Sequence, residues 1–227
     1  EFVSANPTGP LTVGHGRGAI LGDTASNILS WNGYDIYREY YYNNAGRQMR
    51  VLGESLKARY YELLNKSYPF PEGGYEGDYI KDIAQYIIKE NGDKLLHHKD
   101  EHIFRSFAEE HIFKQIKETL KSIGLHFDNY FNENELYENG KLSEVITQLK
   151  NKDLIYEKDN ATWFRATSLG LPADRVLIKS TGEPTYRLPD IAYHMTKFER
   201  GFDICVDIFG ADHMDAYPDV LAAIKQL

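Results

Sequence analysis

Residues 1–23 read EFVSANPTGPLTVGHGRGAILGD, and this stretch decides the expected fold. EFVSAN predicts a short strand, and NPTGP predicts a loop because its two prolines lack an amide donor and have a fixed φ. Apolar side chains then recur at helical spacing from His15 to Trp31, and the Asn-Gly pair that follows marks the end of this helix. A strand, a glycine-rich loop and a helix in this order are typical of an α/β domain.

The rest of the chain alternates strand and helix patterns, most clearly near its two ends. YDIYREYYYN, residues 34–43, has the aromatic and β-branched content of a strand and completes a βαβ unit. The most regular helical spacing runs through residues 103–123, and residues 175–210 return to strand and helix patterns. These patterns predict an α/β fold, a Rossmann-like doubly wound parallel sheet with helical and small β insertions.

The same patterns suggest how the chain is divided. We expect residues 1–50 and 101–135 to form the first half of the parallel-sheet domain, and residues 175–227 to form its second half. Residues 51–100 would then be a helical insertion, and residues 136–174 a small insertion with two strands.

Length and charge limit the functional classes. A chain of 227 residues can form one domain with insertions, and its net charge of −8 argues against a protein that binds nucleic acid through a general basic surface. This leaves room for a local basic patch. No apolar run is long enough to span a bilayer, and no signal-peptide pattern is present. The single Cys205 excludes an intrachain disulfide and favours a cytoplasmic location, and the start at Glu1 suggests a fragment of a longer chain.

The loop TVGHGRG, residues 12–18, is a candidate phosphate site. Gly14 and Gly16 flank His15 where the strand leads into the helix, so the backbone can approach a ligand closely and the helix N-terminus offers amide donors. The helix dipole alone contributes only about 0.3 to 1 kcal/mol, so the imidazole would have to add a preorganised contact. A capped helix start with a solvent-exposed histidine is the alternative, and the motif taken alone is weak.

The residues around this loop resemble a known signature. P-x-G-P-L-x-V-G-H, residues 7–15, is similar to the HIGH motif of class I aminoacyl-tRNA synthetases, and EFVSANPTGPL with VGHGR resembles its form in the arginyl-tRNA synthetase family. The resemblance spans essentially the whole chain and implies a class I synthetase catalytic domain. The further segments that resemble this family, in the same order, are REYYYNNAGRQM, GLHFDNYFNENELY, RVLIKSTGEPTYRLPDIAYH and RGFDICVDIFGADH.

In this family the HIGH segment binds ATP, and the resemblance implies that Gly14 and His15 contact the nucleotide. Thr12 stands where the first histidine of the motif is usual, and its hydroxyl can donate a hydrogen bond but carries no charge. We therefore expect Thr12, Gly14 and His15 to take part in catalysis. The residues that the resemblance places at ATP are Pro10, Gly14, His15, Gly210, Asp212 and His213.

The resemblance also implies an arginine-binding pocket. A guanidinium group is a planar fork of donors, which carboxylates and a phenolic oxygen in its plane can satisfy. Asn44 replaces a more familiar aspartate in the segment that contains Gln48. The structural alternatives are a first-turn helix acid for Asp190 and a solvated chain end for Glu1. The residues implied to bind the substrate are Glu1, Ser4, Asn6, Gln48, Tyr186 and Asp190.

The implied reaction is attack of the arginine carboxylate on the α-phosphorus of ATP, with Mg²⁺ neutralising the polyphosphate, followed by transfer of arginine to tRNA(Arg). The implied partners are L-arginine and tRNA(Arg), without a membrane, and the full-length enzyme is expected to be a monomer. The lysine-rich KMSKS loop of the family is not found before Leu227. We therefore expect an excised catalytic core that folds but is largely inactive by itself.

No metal-binding pattern is evident in the sequence. His98 and His102 are four residues apart, but no carboxylate signature such as H-E-x-x-H accompanies them, so a solvated polar face is the simpler interpretation. Cys205 lies in an apolar stretch, where we expect a small core residue rather than a nucleophile.

Three other functions remain open at this point. The chain could belong to a class I synthetase for glutamate, glutamine, cysteine or lysine, although acidic pocket residues disfavour glutamate. It could be a non-catalytic paralogue that binds a nucleotide or a partner, for which Thr12 and the missing lysine-rich loop are the best support. A small nucleotidylyltransferase with a similar phosphate loop is disfavoured, because such enzymes do not require GEPTYRLPDIAYH.

Overall fold

The computed structural model describes residues 1–98, 102–210 and 216–227. These residues form two compact units. We call residues 4–130 the N-unit, and residues 1–3 together with 131–227 the C-unit. The four-part division expected from the sequence stays a prediction. No helix in the described part of the chain has the length and apolar content needed to cross a membrane.

The described residues form helices and short strands. The helices are α1 Val13–Trp31, α2 Gly46–Leu63, α3 Asp78–Asn91, α4 Ile103–Ser122, α5 Asn134–Glu138, α6 Lys141–Asn151, α7 Arg187–Glu199 and α8 Tyr217–Ile224, with a 3₁₀ turn at Ala166–Leu169. The strands are β1 Val3–Ser4, β2 Glu39–Tyr42, β3 Asn129–Asn132, β4 Ile155–Lys158, β5 Ala161–Phe164 and β6 Arg175–Ile178.

The first sheet contains the strand at which the chain begins. Its strand order is β1-β2-β3, and α1 connects the neighbouring strands β1 and β2, as the predicted βαβ unit requires. Tyr40 in β2 is fully buried, and its hydroxyl donates to the carbonyl of Ala5 at 2.9 Å. This bond joins the middle strand to the segment that leads into the predicted phosphate loop.

The second sheet is antiparallel, with the order β4-β5-β6. Asp159 and Asn160 form the two-residue turn between β4 and β5, both with positive φ, as the predicted hairpin requires. The sequence places β6 in the main parallel sheet, whereas in the structure it pairs with β5. No crossover helix separates these two strands, and a short connection favours antiparallel pairing.

The sequence also predicts a strand over residues 203–210, and the structure assigns none there. Residue Glu1 nevertheless pairs with this segment through two backbone bonds, from its nitrogen to Val206 O at 2.8 Å and from Ile208 N to its oxygen at 2.9 Å. Bonds from one residue to positions j−1 and j+1 of its neighbour are the parallel pattern. The segment is therefore extended and pairs with Glu1 in parallel register.

Three helices of the N-unit pack together, with α2 in contact with both α3 and α4. Leu52 and Leu56 of α2 are fully buried, and Tyr60 one turn later donates its hydroxyl to Gly92 O at 2.7 Å. Helix α1 differs from the prediction, since Ile20 and Ile28 of its apolar stripe are 58% and 57% exposed. Its helical spacing is as predicted, and Ala19 of the same helix is fully buried.

Candidate functional site

Thr12 and His15 hold each other at the start of α1. The Thr12 hydroxyl accepts from the His15 amide at 3.3 Å, and the His15 Nδ1 atom accepts from the Thr12 amide at 3.1 Å. This reciprocal pair is a capping box with histidine in the place usually taken by glutamate or glutamine. Thr12 therefore has a definite structural role in the predicted phosphate loop.

The capping box also fixes which ring nitrogen of His15 can donate. A backbone amide can only donate, so Nδ1 must present its lone pair to Thr12. In the neutral ring the proton then lies on Nε2, at the end of a half-exposed side chain. Because the first turn of α1 contains no acidic residue, nothing there neutralises the positive end of the helix dipole.

The backbone around His15 leaves space for a ligand. An added side chain at Gly16 would meet no atom within 4 Å, and one at Gly14 would meet only Thr12 Oγ1, at 3.5 Å. On the loop before the helix, the Tyr79 hydroxyl donates to Thr8 O at 2.7 Å, and a Cβ at Gly9 would lie 3.2 Å from that hydroxyl. Helix α3 thus holds the loop that carries the exposed Pro10.

The structure brings two predicted substrate-binding residues of the N-unit together. Asn6 Nδ2 donates to Gln48 Oε1 at 3.1 Å, and Asn6 Oδ1 accepts from the Asn43 amide at 2.8 Å. Ser4, Asn6 and Gln48 are all exposed. The loop before α2 therefore orients two amide side chains whose remaining donors and acceptors face outward.

Asn44, which replaces the more familiar aspartate, has a clear partner. Its side-chain amide donates to Glu109 Oε1 at 2.7 Å, and its backbone oxygen accepts from Arg105 Nη2 at 2.6 Å. An aspartate here would face the Glu109 carboxylate with a like charge and without a donor. The asparagine therefore suits its neighbours on α4 and ties the loop before α2 to that helix.

In the C-unit, a tight turn leads into α7. Gly182 adopts a φ of 85° in this turn, and the Thr185 amide donates to Leu177 O at 2.8 Å, which returns the chain along β6. Tyr186 caps α7 and is 58% exposed, with the Arg187 guanidinium 4.7 Å from its ring centre. Asp190 follows in the first turn of the helix.

Helix α7 carries a polar stripe of which the sequence predicted only Asp190 as a site residue. Asp190, His194 and Lys197 lie at positions i, i+4 and i+7, which share one face of a helix. His194 Nδ1 donates to the backbone oxygen of Asp190 at 2.8 Å, and its Nε2 atom lies 2.9 Å from Asp207 Oδ2. The helical spacing of these three polar residues was the available signal.

The ammonium group of Lys197 lies between two carboxylates. Its Nζ atom is 2.8 Å from Glu1 Oε2 and 2.5 Å from Asp207 Oδ1. The side chains of Lys197 and Glu1 are both only 6% exposed. Because Glu1 pairs with the extended segment at Asp207 in parallel register, the two carboxylates lie side by side on one face.

Burial and neighbouring charges act in opposite directions on this cluster. Burial raises the pKa of the Glu1 carboxyl, and the charge of Lys197 only partly opposes this. At Asp207 burial would also raise the pKa, but the hydrogen bond from His194 and the charge of Lys197 prevail and hold it well below its ordinary value. Burial would lower the pKa of Lys197, and the two carboxylates raise it instead. The cluster therefore favours a charged Lys197 and a charged Asp207.

Glu1, His194 and Asp207 also have the separation needed for three ligands of one metal ion. Their donor set does not fit a resident metal in this structure, because the Lys197 ammonium already bonds to both carboxylates. A cation there would be repelled by Lys197 and would have to displace it.

The predicted site residues thus belong to both units. Within the N-unit, Asn6 contacts Gln48 and Thr12 contacts His15. Asp212 and His213 lie outside the described residues. The remaining predicted residues of the C-unit are Glu1, Tyr186, Asp190 and the exposed Gly210, and those of the N-unit are Ser4, Pro10 and Gly14.

Comparison with known proteins identifies relatives over the whole chain. The family model described as tRNA synthetases class I (R), catalytic domain, matches residues 1–213. An arginine–tRNA ligase of Desulfotalea psychrophila is 59% identical over all 227 residues, which cover 41% of that protein. One of Chlorobium phaeobacteroides is 53% identical, and the chain covers 42% of it. The chain thus spans about two fifths of these curated relatives.

Solved structures agree with these matches. A crystal structure of an arginyl-tRNA synthetase from Campylobacter jejuni superposes with a TM-score of 0.90 at 35% identity, covering 100% of this chain and 50% of that one. One from Plasmodium falciparum superposes with a TM-score of 0.71 at 18% identity, covering 99% and 39% of the two chains, and supports the fold alone. The predicted α/β class is confirmed, and the chain belongs to the family of class I tRNA synthetases (R), whose catalytic domain it matches.

Proposed function

We propose that the chain is the catalytic core of an arginine–tRNA ligase, which activates L-arginine with ATP and transfers it to tRNA(Arg). The observation that carries this proposal is the 59% identity with the Desulfotalea psychrophila arginine–tRNA ligase over the whole chain. The capped histidine loop and the carboxylates of the C-unit supply the chemistry that such an enzyme needs.

In this proposal the start of α1 binds the phosphates of ATP. His15 Nε2–H is the donor, because the bond to the Thr12 amide occupies Nδ1. Gly14 and Gly16 allow the polyphosphate to approach the backbone, and the amides of the first helical turn have no acceptor within the helix. Mg²⁺ enters as the counterion of the polyphosphate, as part of the substrate. The remaining nucleotide contacts come from Pro10, Gly210, Asp212 and His213.

The substrate arginine is recognised at its two ends by different groups. Its guanidinium group binds to Glu1, Tyr186 and Asp190, since two carboxylates and a phenolic oxygen match a planar set of donors. Its α-amino end binds to amide and hydroxyl groups of the N-unit, namely Ser4, Asn6 and Gln48. The bond between Asn6 and Gln48 supports this assignment, because it orients both side chains before substrate arrives.

The protein provides no nucleophile in the proposed reaction. A carboxylate oxygen of arginine forms a bond to the α-phosphorus of ATP, the bond from that phosphorus to the bridging oxygen breaks, and pyrophosphate leaves. A hydroxyl of the terminal adenosine of tRNA then attacks the arginyl carbonyl carbon, AMP leaves with the electron pair of the broken bond, and the hydroxyl proton passes to the departing phosphate or to water. Positioning of this kind supplies on the order of 7 to 11 kcal/mol. His15 adds a donor at the phosphoryl group, where negative charge develops.

Two general features complete the proposal. The single Cys205 favours a reducing compartment, so we place the activity in the cytoplasm. We also propose that the complete enzyme works as a monomer on its arginine and tRNA(Arg) substrates, with no membrane partner.

The activity can be tested in a chimaera that replaces the matching part of the Desulfotalea psychrophila ligase with residues 1–227. We expect arginine-dependent exchange of pyrophosphate into ATP in the chimaera and little exchange in the 227-residue chain alone. Robust exchange by the chain alone would contradict the predicted inactivity of the isolated core. Preference of the chimaera for another amino acid would contradict the assigned substrate.

Replacement of Asp190 tests the assigned guanidinium site. Asp190→Asn keeps the shape of the side chain and removes its charge, so the KM for arginine in the chimaera should rise on the order of tenfold or more. The KM for ATP should stay unchanged. An unaltered KM for arginine would exclude Asp190 from the pocket.

A further inference from the structure

A continuous set of polar contacts connects the two carboxyl residues assigned to the guanidinium group. It runs from the Glu1 carboxylate to Lys197, from Lys197 to Asp207, from Asp207 to His194, and from His194 to the backbone oxygen of Asp190. All five residues belong to the C-unit. The function proposed above assigns no role to Lys197, His194 or Asp207.

Lys197 is the part of this network that touches Glu1. It is fully within the helix α7, one turn after His194, and its side chain is only 6% exposed. The ammonium group also contacts the aromatic ring of Tyr193, with the Lys197 Nζ atom 4.2 Å from the ring centre. An ammonium group that is bound on several sides in this way is confined to few rotamers, so the position of Lys197 is well defined.

The two carboxylates could not keep this arrangement without a cation between them. Glu1 and Asp207 are neighbours in parallel register, and like charges on adjacent strands destabilise each other. Burial also favours the neutral form of the Glu1 carboxyl. Lys197 opposes both effects, because its ammonium donates to an oxygen of each carboxylate.

We propose that Lys197 is a positioning residue for arginine recognition, whose ammonium bridges Glu1 and Asp207 and thereby holds the Glu1 carboxylate in place for the substrate guanidinium group. This inference rests on the proposed function, since it assumes that Glu1 binds the guanidinium. Lys197 itself does not touch the substrate. Asp207 also binds the Lys197 ammonium, and His194 in turn contacts Asp207.

A positioning role and a purely electrostatic role predict opposite results. Lys197 carries a positive charge near the position assigned to a cationic substrate group, and like charges repel. If only this charge mattered, its removal would strengthen arginine binding. If Lys197 positions Glu1, its removal leaves a buried carboxylate that protonates or turns away, and arginine binding weakens.

The test uses the chimaeric ligase with Lys197→Met, which keeps the length of the side chain and removes the charge. We expect the KM for arginine to rise on the order of tenfold while the KM for ATP stays within about twofold. Lys141→Met is the matched control, because Lys141 also bridges two carboxylates of the C-unit, Glu144 and Glu199, but on the surface. It should change neither KM.

A double-mutant cycle shows whether Lys197 acts through Glu1. Glu1→Gln should raise the KM for arginine by itself, and Glu1→Gln with Lys197→Met should be no worse than Glu1→Gln alone. Additive losses would show that Lys197 acts independently of Glu1 and would overturn the inference. A raised KM in Glu1→Gln with an unchanged or lowered KM in Lys197→Met would overturn the inference while leaving the proposed function intact. An unchanged KM in Glu1→Gln would exclude Glu1 from the guanidinium site and overturn the inference, whereas preference of the chimaera for another amino acid would overturn the proposed function itself.

A second variant covers the case in which Lys197→Met does not fold. Lys197→Arg keeps the positive charge in the core, but its longer planar fork displaces the carboxylate that it binds. We expect several-fold weaker arginine binding with unchanged ATP binding, again against Lys141→Arg. An arginine KM equal to that of the unaltered chimaera would contradict the positioning role.

Discussion

Thr12, which stands where the family motif usually has its first histidine, has a defined structural role. Seen as a motif position, Thr12 lacks the charge that a histidine could carry, and this favoured a non-catalytic paralogue. In the structure its hydroxyl and amide both bind His15, which fixes the ring orientation and directs Nε2 outward. A residue that fixes the orientation of the proposed phosphate donor is compatible with an enzyme, so Thr12 no longer supports the alternative.

His15 has two roles that substitution can separate. Glutamine is a normal partner in a capping box, so His15→Gln should still reach the Thr12 amide and leave the melting temperature of the chain unchanged. Its amide can also donate, but not from the position of the imidazole Nε2 atom, so pyrophosphate exchange in the chimaera should fall by about 100-fold. His15→Ala should lose both roles, with about 1 kcal/mol of stability lost as well. Full exchange activity in His15→Gln would show that the ring contributes only the cap.

At the scale of the element, one buried carboxylate connects three parts of the C-unit. Asp219 in α8 accepts from Arg175 Nε at 2.8 Å and from Arg187 Nε at 2.9 Å through the same oxygen, and its side chain is 3% exposed. Arg175 begins β6 and Arg187 begins α7. Asp219 therefore joins the strand, the helix that carries Asp190 and the last helix of the chain.

Removal of Asp219 should destabilise the chain strongly. Asp219→Ala leaves two arginines without their carboxylate, and breaking a pair of this kind costs about 3 kcal/mol when the partners are partly exposed. Urea unfolding of the chain measures the loss. Glu183→Ala is the control, because the Lys179–Glu183 pair is exposed and contributes less than about 1 kcal/mol. Equal losses in the two variants would contradict this role of Asp219.

The turn before β6 should make part of the stability depend on pH. The Thr167 backbone amide and hydroxyl donate to Asp174, at 2.9 and 2.7 Å, and hold the pKa of its carboxyl below the ordinary value. A lowered pKa in the folded state stabilises the fold above the unfolded pKa of about 3.9, and this contribution disappears as pH falls through the folded pKa.

Asp174→Asn should therefore flatten the acid side of the stability profile. Between about pH 5 and pH 3 the free energy of unfolding should fall less steeply in the variant than in the unaltered chain. Thr167→Val, which removes only the hydroxyl donor, should give an intermediate slope. Identical slopes in all three proteins would show that this carboxylate does not contribute.

At the scale of the whole molecule, apolar side chains are distributed unevenly between core and surface. Leu56 is fully buried among the N-unit helices, whereas Ile20 and Ile28 of α1 are more than half exposed. Burial, rather than apolar character, determines what an aliphatic side chain contributes to stability. The apolar stripe of α1 therefore contributes little to the stability of this chain by itself.

This difference can be measured in the 227-residue chain. The double replacement of Ile20 and Ile28 by Gln should change the free energy of unfolding by about 0.5 kcal/mol per site or less. Leu56→Ala should cost about 2 to 5 kcal/mol, because it leaves a cavity in the core. A loss above about 2 kcal/mol in the double variant would contradict the exposure of this stripe.

Local sequence patterns were sufficient to predict most helices and strands and to indicate the family. Helix bounds depend on contacts within a few residues, so the spacing predicted α4 to within one residue, and the two strands expected within residues 136–174 are β4 and β5. The motifs around His15 indicated the class I synthetase catalytic domain. Each of these features is encoded by neighbours along the chain.

Only the tertiary structure decided the pairing of β6 with β5, the parallel pairing of Glu1 with the segment around Asp207, and the network that Lys197 completes. Glu1 and Lys197 are 196 positions apart, and no local pattern states that one is the partner of the other. Burial makes this ion pair necessary, because a carboxylate removed from water needs a counter-charge. Which charged side chain reaches the carboxylate depends on how the strands and helices pack.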